Sequence, residues 1–145
     1  MRESEVPASL AEMECPEFEG HPWVTPSGKP RVSIISTAGL MHRGDRPFSF
    51  GGADYRILDC ENPADIVMSH ISTNFDRTGF AQDIDVVFPI DRLIEMANDG
   101  TIGSVSRYHY SFMGATAPDQ LEIAARQLAR VLRQDEVDTA LLVPV

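Results

Sequence analysis

Apolar residues in this chain gather into short runs between polar, proline- and glycine-punctuated stretches, and the spacing within each run predicts its element. Arg31-Val-Ser-Ile-Ile-Ser-Thr37 is rich in β-branched residues and breaks at Ala38-Gly39, so it reads as a strand. Ala64 to His70 reads as another short strand. Val86-Val87-Phe88-Pro89 leads into Ile90 to Ala97, where Ile90, Leu93, Ile94 and Ala97 fall at helical spacing and Asn98-Asp99-Gly100 supplies the stop. Ile102-Gly103 and Tyr108 to Met113 follow as strand or loop. Asp119 to Arg133 is the clearest helix. Leu121, Ala124, Ala125, Leu128 and Leu132 line one face, and Arg126, Arg130 and Arg133 load the other face and the end near the negative dipole. Ala140-Leu141-Leu142-Val143-Pro144-Val145 is a continuous apolar run after a helix, which predicts a buried parallel strand.

The stretches between are polar. Met41 to Asp59 reads as a glycine-containing loop region, and residues 71–83 lack helical periodicity. Residues 1–30 read as an irregular, acidic, proline-rich lead-in arm. Pro7, Pro16, Pro22, Pro26 and Pro30 punctuate it, Ser27-Gly28 marks a turn, and Phe18, Trp23 and Val24 pin it to the domain. Residues 31–145 then form one α/β domain. The strand–helix–strand rhythm predicts a Rossmann-like layered fold with a mainly parallel sheet. In open α/β sheets chemistry gathers just beyond the carboxyl ends of the strands. A sequence that stops at that edge reads as incomplete at the C-terminus, the N-terminal half of a larger protein.

Composition narrows the partners. The chain has 145 residues, 43% of them hydrophobic, enough for one core burying roughly 70% of the unfolded surface. The formal charge is −10, from 22 acidic against 12 basic residues. Half of that excess lies in the first twenty residues, where Glu3, Glu5, Glu12, Glu14, Glu17 and Glu19 face only Arg2. An acidic chain disfavours nucleic acid and anionic membrane, both of which need a basic face. No apolar stretch approaches the roughly 18 residues of a membrane span, and no secretory signal opens the chain. Cys15 and Cys60 show no metal-site spacing and read as passenger thiols in a cytoplasmic, reduced protein.

Three polar clusters carry candidate chemistry. Thr37-Ala-Gly-Leu-Met-His-Arg-Gly-Asp45 follows the first strand, so it lies at a sheet's carboxyl edge and places His42 and Arg43 there. Its two glycines do not make a dinucleotide-binding fingerprint. Ser69-His70 with Asn74-Phe75-Asp76-Arg77 pairs an imidazole with a carboxylate able to orient it. His109 and Ser111 form the third cluster. His42, His70 and His109 with Asp45 or Asp76 are zinc-capable residue types, but HxxxH and HExxH are absent, so no metal is assigned. On residue type and position, His70 with Asp76, together with His42 and His109, are the candidate acid–base groups. Arg43 and Arg46 are the candidate carboxylate clamps.

Four stretches resemble the selenoprotein-B family of glycine, sarcosine, betaine and D-proline reductases. They are Val32-Ser-Ile-Ile-Ser-Thr-Ala-Gly-Leu-Met-His-Arg-Gly44, Ser69-His-Ile-Ser-Thr-Asn-Phe-Asp76, Asp83-Ile-Asp-Val-Val-Phe-Pro-Ile-Asp-Arg-Leu93, and Gly100-Thr-Ile-Gly103 running on to His109-Tyr-Ser-Phe-Met-Gly114. They occur in the family's order and together cover roughly residues 18–145 of this chain. Asp85 departs from the asparagine expected there, which bears on local hydrogen bonding.

The resemblance implies an oxidoreductase that cleaves C–N bonds. Its catalytic selenocysteine, or a cysteine replacing it, directly follows a strand resembling Leu141-Leu-Val-Pro-Val145. A selenol ionises below neutral pH and so supplies an activated nucleophile. Selenocysteine is encoded by UGA, so an ordinary reading frame ends there, and the sequence is expected to be cut at that codon. On this reading the present residues shape the site of an amino-acid or betaine-like substrate beside a partner reductase subunit, and are inactive alone. The alternatives are a short non-catalytic paralogue that binds a small amino-acid-like ligand or partner, and a metal-dependent hydrolase using the three histidines.

Overall fold

The computed structural model describes residues 26–73 and 75–145. The expected arm, with Phe18, Trp23, Val24 and Cys15, lies outside them apart from residues 26–30. In chain order the elements are β1 (Arg31–Ser36), β2 (Leu40–His42), β3 (Arg56–Asp59), a 3-10 turn at Pro63–Asp65, β4 (Ile66–Met68), α1 (Thr78–Gln82), a second 3-10 turn at Ile84–Val86, α2 (Ile90–Asn98), β5 (Ser104–Val105), β6 (Tyr108–Ser111), α3 (Pro118–Gln134) and β7 (Thr139–Val143).

β1 organises the sheet. It pairs in parallel with β7 along Val32–Ser36, which fills one of its edges. The other edge is shared: β5 takes Arg31 and Val32, and β6 takes Ile35 and Ser36, both in parallel. β3 adds to the outer side of β6, antiparallel, and β2 pairs with β4 in a separate antiparallel ribbon. The class is therefore α/β with a mixed, partly parallel sheet. The two antiparallel pairings come from regions that read as loop or isolated strand. β2 and β3, three and four residues long, are too short to show a period in sequence, and their partners define them instead.

The period of two in β1 sorts its side chains onto two faces. Val32 and Ile34 join a core with Leu58, Val87, Phe88, Ile90 and Leu93, which α2 completes from one side. Ile35 turns the other way, against Tyr110, Phe112, Leu128 and Leu132, where α3 lies. α2 ends as expected, with Gly100 at a φ of +78°, a left-handed position that glycine adopts without strain. α3 carries Pro118 in its first turn, Asp119 beside it and Arg133 in its last turn, matching the macrodipole. Its buried face is narrower than its pattern implies. Leu128 and Leu132 are buried, Leu121 and Ala124 are half-buried, and Ala125 is exposed.

β7 is parallel to β1, but it is a half-buried strand and not the fully buried one its apolar run predicts. Leu141 and Val143 pack on the core, whereas Ala140 is exposed and Leu142 is 67% exposed. Continuous apolar composition does not separate the two cases when one face of an edge strand stays uncovered.

Two carboxylates tie distant segments. Asp85 accepts from the N–H of Asp91 at 3.1 Å and from Arg92 Nε at 3.2 Å, so it caps the start of α2 from outside the helix. An asparagine there would keep the first bond and lose the charge of the second. Asp138 accepts from the Arg31 N–H at 2.8 Å, and its own N–H donates to the Arg31 carbonyl at 3.0 Å. Asp138→Ala is expected to cost about 1 kcal/mol in urea unfolding. An unchanged midpoint would show that the β1–β7 ladder alone sets this end of the sheet.

Candidate functional site

The carboxyl ends of β1 and β7, the segment after β6 and the segment after β4 meet at one edge of the fold. There they enclose a cleft of about 210 Å³ lined by His70, Ser72, Phe75, Gly114, Ala115 and Val145. Backbone bonds assemble it. The Thr37 N–H donates to the Val143 carbonyl, the Gly114 N–H to the Thr37 carbonyl, the Gly39 N–H to the Phe112 carbonyl, and the Ser69 N–H to the Gly39 carbonyl.

Two glycines allow this close approach. Gly39 has a φ of +66°, and a Cβ there would lie 3.1 Å from His70 Cα and 3.0 Å from Met113 Cε. A Cβ on Gly114 would lie 2.6 Å from the Val145 carbonyl oxygen and 2.8 Å from that of Thr37. Neither position has room for a side chain.

His70 is 8% exposed. Its Nδ1 accepts from the Ser72 N–H at 3.2 Å, which places the proton of the neutral ring on Nε2. That Nε2 is buried and, among the described residues, has no hydrogen-bond partner. An unsatisfied buried donor costs about 1–3 kcal/mol, which a ligand acceptor would relieve. The ring packs against Phe75, with centroids 4.5 Å apart. Burial first, then the nearby Arg77 guanidinium, lower its proton affinity below the ordinary histidine value, so the neutral form dominates. Arg77 also clips this loop, donating from Nη2 to the carbonyls of His70 at 2.7 Å and Ser72 at 3.1 Å.

The other candidate residues are placed differently. His70 and Asp76 do not form the expected pair: Asp76 Oδ1 accepts from the Thr78 N–H at 2.9 Å, and hydrogen bonding from the Thr78 side chain first, then from this N–H, holds its carboxyl below the usual range. His42 Nε2 accepts from the Asp59 N–H at 2.9 Å, and its Nδ1 stands 4.0 Å from Asp65. His109 is fully buried, accepts from the Ile34 N–H at Nδ1 (2.8 Å), and meets Phe88 edge-on. Burial pushes its pKa down to about 4, with the Ser106 backbone acting the other way. Arg43 is exposed, with Nε 3.7 Å from Asp65, and Arg46 is exposed. Of these six residues, His70 alone lines the cleft.

Among the described residues no three His, Cys, Asp or Glu side chains gather as metal ligands, so the three histidines do not share a site. Cys60 is pushed up to about 12, by burial and then by Asp59, which makes it a poor nucleophile. Phe75, Ser72, Gly114 and Ala115 were not among the candidates. Phe75 and Gly114 fall inside the stretches that carried the resemblance, but neither has titratable chemistry to single it out, and only the fold brings them to His70.

A family model described as glycine/sarcosine/betaine reductase selenoprotein B matches residues 22–145. The chain belongs to this family. Members similar to it include the D-proline reductase subunit gamma of Acetoanaerobium sticklandii, 27% identical over 115 residues, covering 77% of this chain and 47% of that protein. The glycine reductase complex component B subunit gamma of Peptoclostridium acidaminophilum is 29% identical over 120 residues, 79% of this chain and 27% of that one. Its namesake in Symbiobacterium thermophilum is 26% identical over 128 residues, 84% and 30% of the two chains. The chain thus spans less than half the length of these relatives. No solved structure matches it. Among its described residues, no helix is long and apolar enough to cross a membrane.

Proposed function

We propose that this chain forms the substrate-side wall of a reductase subunit that cleaves the C–N bond of glycine, sarcosine, betaine or D-proline, working with a partner subunit in the cytoplasm. The observation that carries this reading is the buried Nε2 of His70, without a partner among the described residues, in a cleft that Val145 also lines. On the resemblance, a selenocysteine or cysteine would follow Val145, beyond β7 and at the edge where His70 lies. When present, it supplies the nucleophile for the carbon next to nitrogen. The sheet, with α2 and α3 on opposite faces, would then be the first part of a Rossmann-like layered domain continued elsewhere.

His70 has a defined part in this scheme. At neutral pH it meets the substrate as a neutral ring, donating from Nε2 to a substrate carboxylate oxygen. Only its protonated fraction serves as a general acid to the leaving amine, and burial keeps that fraction small. Arg43, which faces Asp65, and Arg46 do not line the cleft, so the carboxylate clamp is not assigned to them. Asp76, His42 and His109 hold backbone N–H groups and would act through the architecture around the cleft.

NMR titration tests this directly. Addition of at least one of the four amines is expected to shift the His70 ring signals and the amides of Ser72, Gly114 and Val145, and His70→Ala is expected to weaken that binding about tenfold, the worth of one buried hydrogen bond. If none of the four perturbs these signals up to its solubility limit, the reading is wrong.

A further inference from the structure

Arg77 is held at both ends. Its carbonyl accepts from the Ala81 N–H at 3.0 Å and so opens α1, whose Phe80 packs on the core. Its side chain turns back, and Nη2 donates to the carbonyls of His70 at 2.7 Å and Ser72 at 3.1 Å. One nitrogen thereby closes the turn in which the Ser72 N–H donates to His70 Nδ1, the bond that leaves the ring's proton on Nε2. The charge of Arg77 is not spent on a counter-ion. Among the described residues no carboxylate pairs with it, and the adjacent Asp76 turns Oδ1 to the Thr78 N–H. Arg77 is exposed, so the unpaired cation keeps its water and costs little. Phe75 on the same loop, Gly39 after β1, and Gly114 and Ala115 after β6 bring no titratable side chain to His70. Arg77 is the charge that bears on its ring.

A loop staple alone would be served by a neutral donor. The cation does something further: like charges repel, so a fixed guanidinium disfavours a second charge on the ring, and the positive charge stays on Arg77. An anionic guest then meets a neutral N–H donor beside a permanent cation. That pairing does not change across neutral pH, because arginine stays protonated. We propose that Arg77 is the positioning residue of this site: by bridging the His70 and Ser72 carbonyls it fixes the ring with Nε2–H as the donor, and it adds the positive charge under which that donor receives a carboxylate. This rests on the proposed function, which makes Nε2 the donor to the substrate. Arg77 does not line the cleft, and it acts through His70.

NMR on the 145-residue chain tests this with two readouts. The first needs no ligand. In wild type the His70 ring is expected to be the Nε2–H tautomer and to titrate below the ordinary histidine value. Arg77→Met keeps most of the side chain's length without its charge or donors. Its ring is expected to titrate higher than wild type, and its Ser72 amide to exchange about tenfold faster, the worth of one hydrogen bond. Exchange in the middle of β1 is expected to stay unchanged, which separates loss of the bridge from unfolding. Arg77→Lys restores a cation with donors for both carbonyls and is expected to bring the ring titration back to that of wild type. The chain's terminal carboxylate is common to all three proteins and drops out of the comparison. The second readout is binding. Whichever of glycine, sarcosine, betaine and D-proline shifts the wild-type signals is expected to bind Arg77→Met about tenfold more weakly, and Arg77→Lys within about threefold of wild type. A wild type that answers none of the four overturns the functional reading, and the ring titration still decides the hold of Arg77 on His70. An Arg77→Met ring that titrates as in wild type overturns the proposal. So does an Arg77→Lys ring that titrates like that of Arg77→Met, or an Arg77→Met protein with wild-type affinity.

Discussion

Replacing His109 with leucine is expected to destabilise the protein by about 2–3 kcal/mol near pH 7, and this deficit is expected to shrink as the pH falls. The first part follows from Ile34, whose N–H in the middle of the sheet donates to His109 Nδ1 at 2.8 Å. Leucine fills much of the ring's volume but accepts nothing, and an orphaned buried N–H costs about 1–3 kcal/mol. The lost contact with the edge of Phe88 adds to that, and removal of the buried Nε2, which has no partner among the described residues, offsets part of it. The second part follows from titration. The folded-state pKa is about 4, below the ordinary histidine value. Between that ordinary value and about 4 the unfolded chain takes up a proton that the native ring refuses, so stability falls with falling pH, by at most about 1.4 kcal/mol per unit. Wild type carries this acid penalty and the leucine variant does not. The carboxylates titrate alike in both and drop out of the difference. Urea unfolding of the two proteins across the acid range checks this. A constant gap between them would mean that His109 is not held neutral by burial.

Gly39→Ala is expected to cost about 2–4 kcal/mol and to abolish the ligand response at His70. A non-glycine residue at a φ of +66° carries about 1–2 kcal/mol of strain on its own. The added methyl also meets the backbone of His70 at 3.1–3.2 Å, and backbone yields less readily than a side-chain tip. The Met113 methyl group, 3.0 Å away, can shift, but His70 can move only by leaving the cleft. Thermal unfolding gives the cost, and the NMR titration gives the second effect. A destabilised variant that still shows the full His70 shift would separate the glycine from the site.

Much of this was legible in the sequence where an element is long enough to display its period. Arg31–Ser36, Ile90–Asn98 and Pro118–Gln134 were found within a few residues of their ends. β2, β3 and α1 were missed for a common reason. They span three to five residues, and their positions are set by partners far along the chain, as when Leu58 pairs with His109. The site divides in the same way. His70 stood out because imidazole is rare and ends an apolar run. The spacing of His70 and Asp76 suggested a contact that the chain does not make, because a carboxylate two residues before a backbone N–H finds that donor first. Gly114 and Phe75 have no chemistry of their own to mark them, and sequence shows them only as parts of a family pattern.

The pairing of β1 with β7 also sets an order of events during synthesis. Val32 emerges from the ribosome long before Thr139, its ladder partner, exists. At about 5–20 residues per second, the intervening chain takes about 5–20 s to make. Late in that interval, once Ser104–Ser111 has been made, β1 can dock β5 and β6 on one side, while the N–H and C=O groups of its other edge stay open to any extended peptide nearby. Slow translation between α3 and β7 is therefore expected to prolong the exposure of that edge and to favour aggregation.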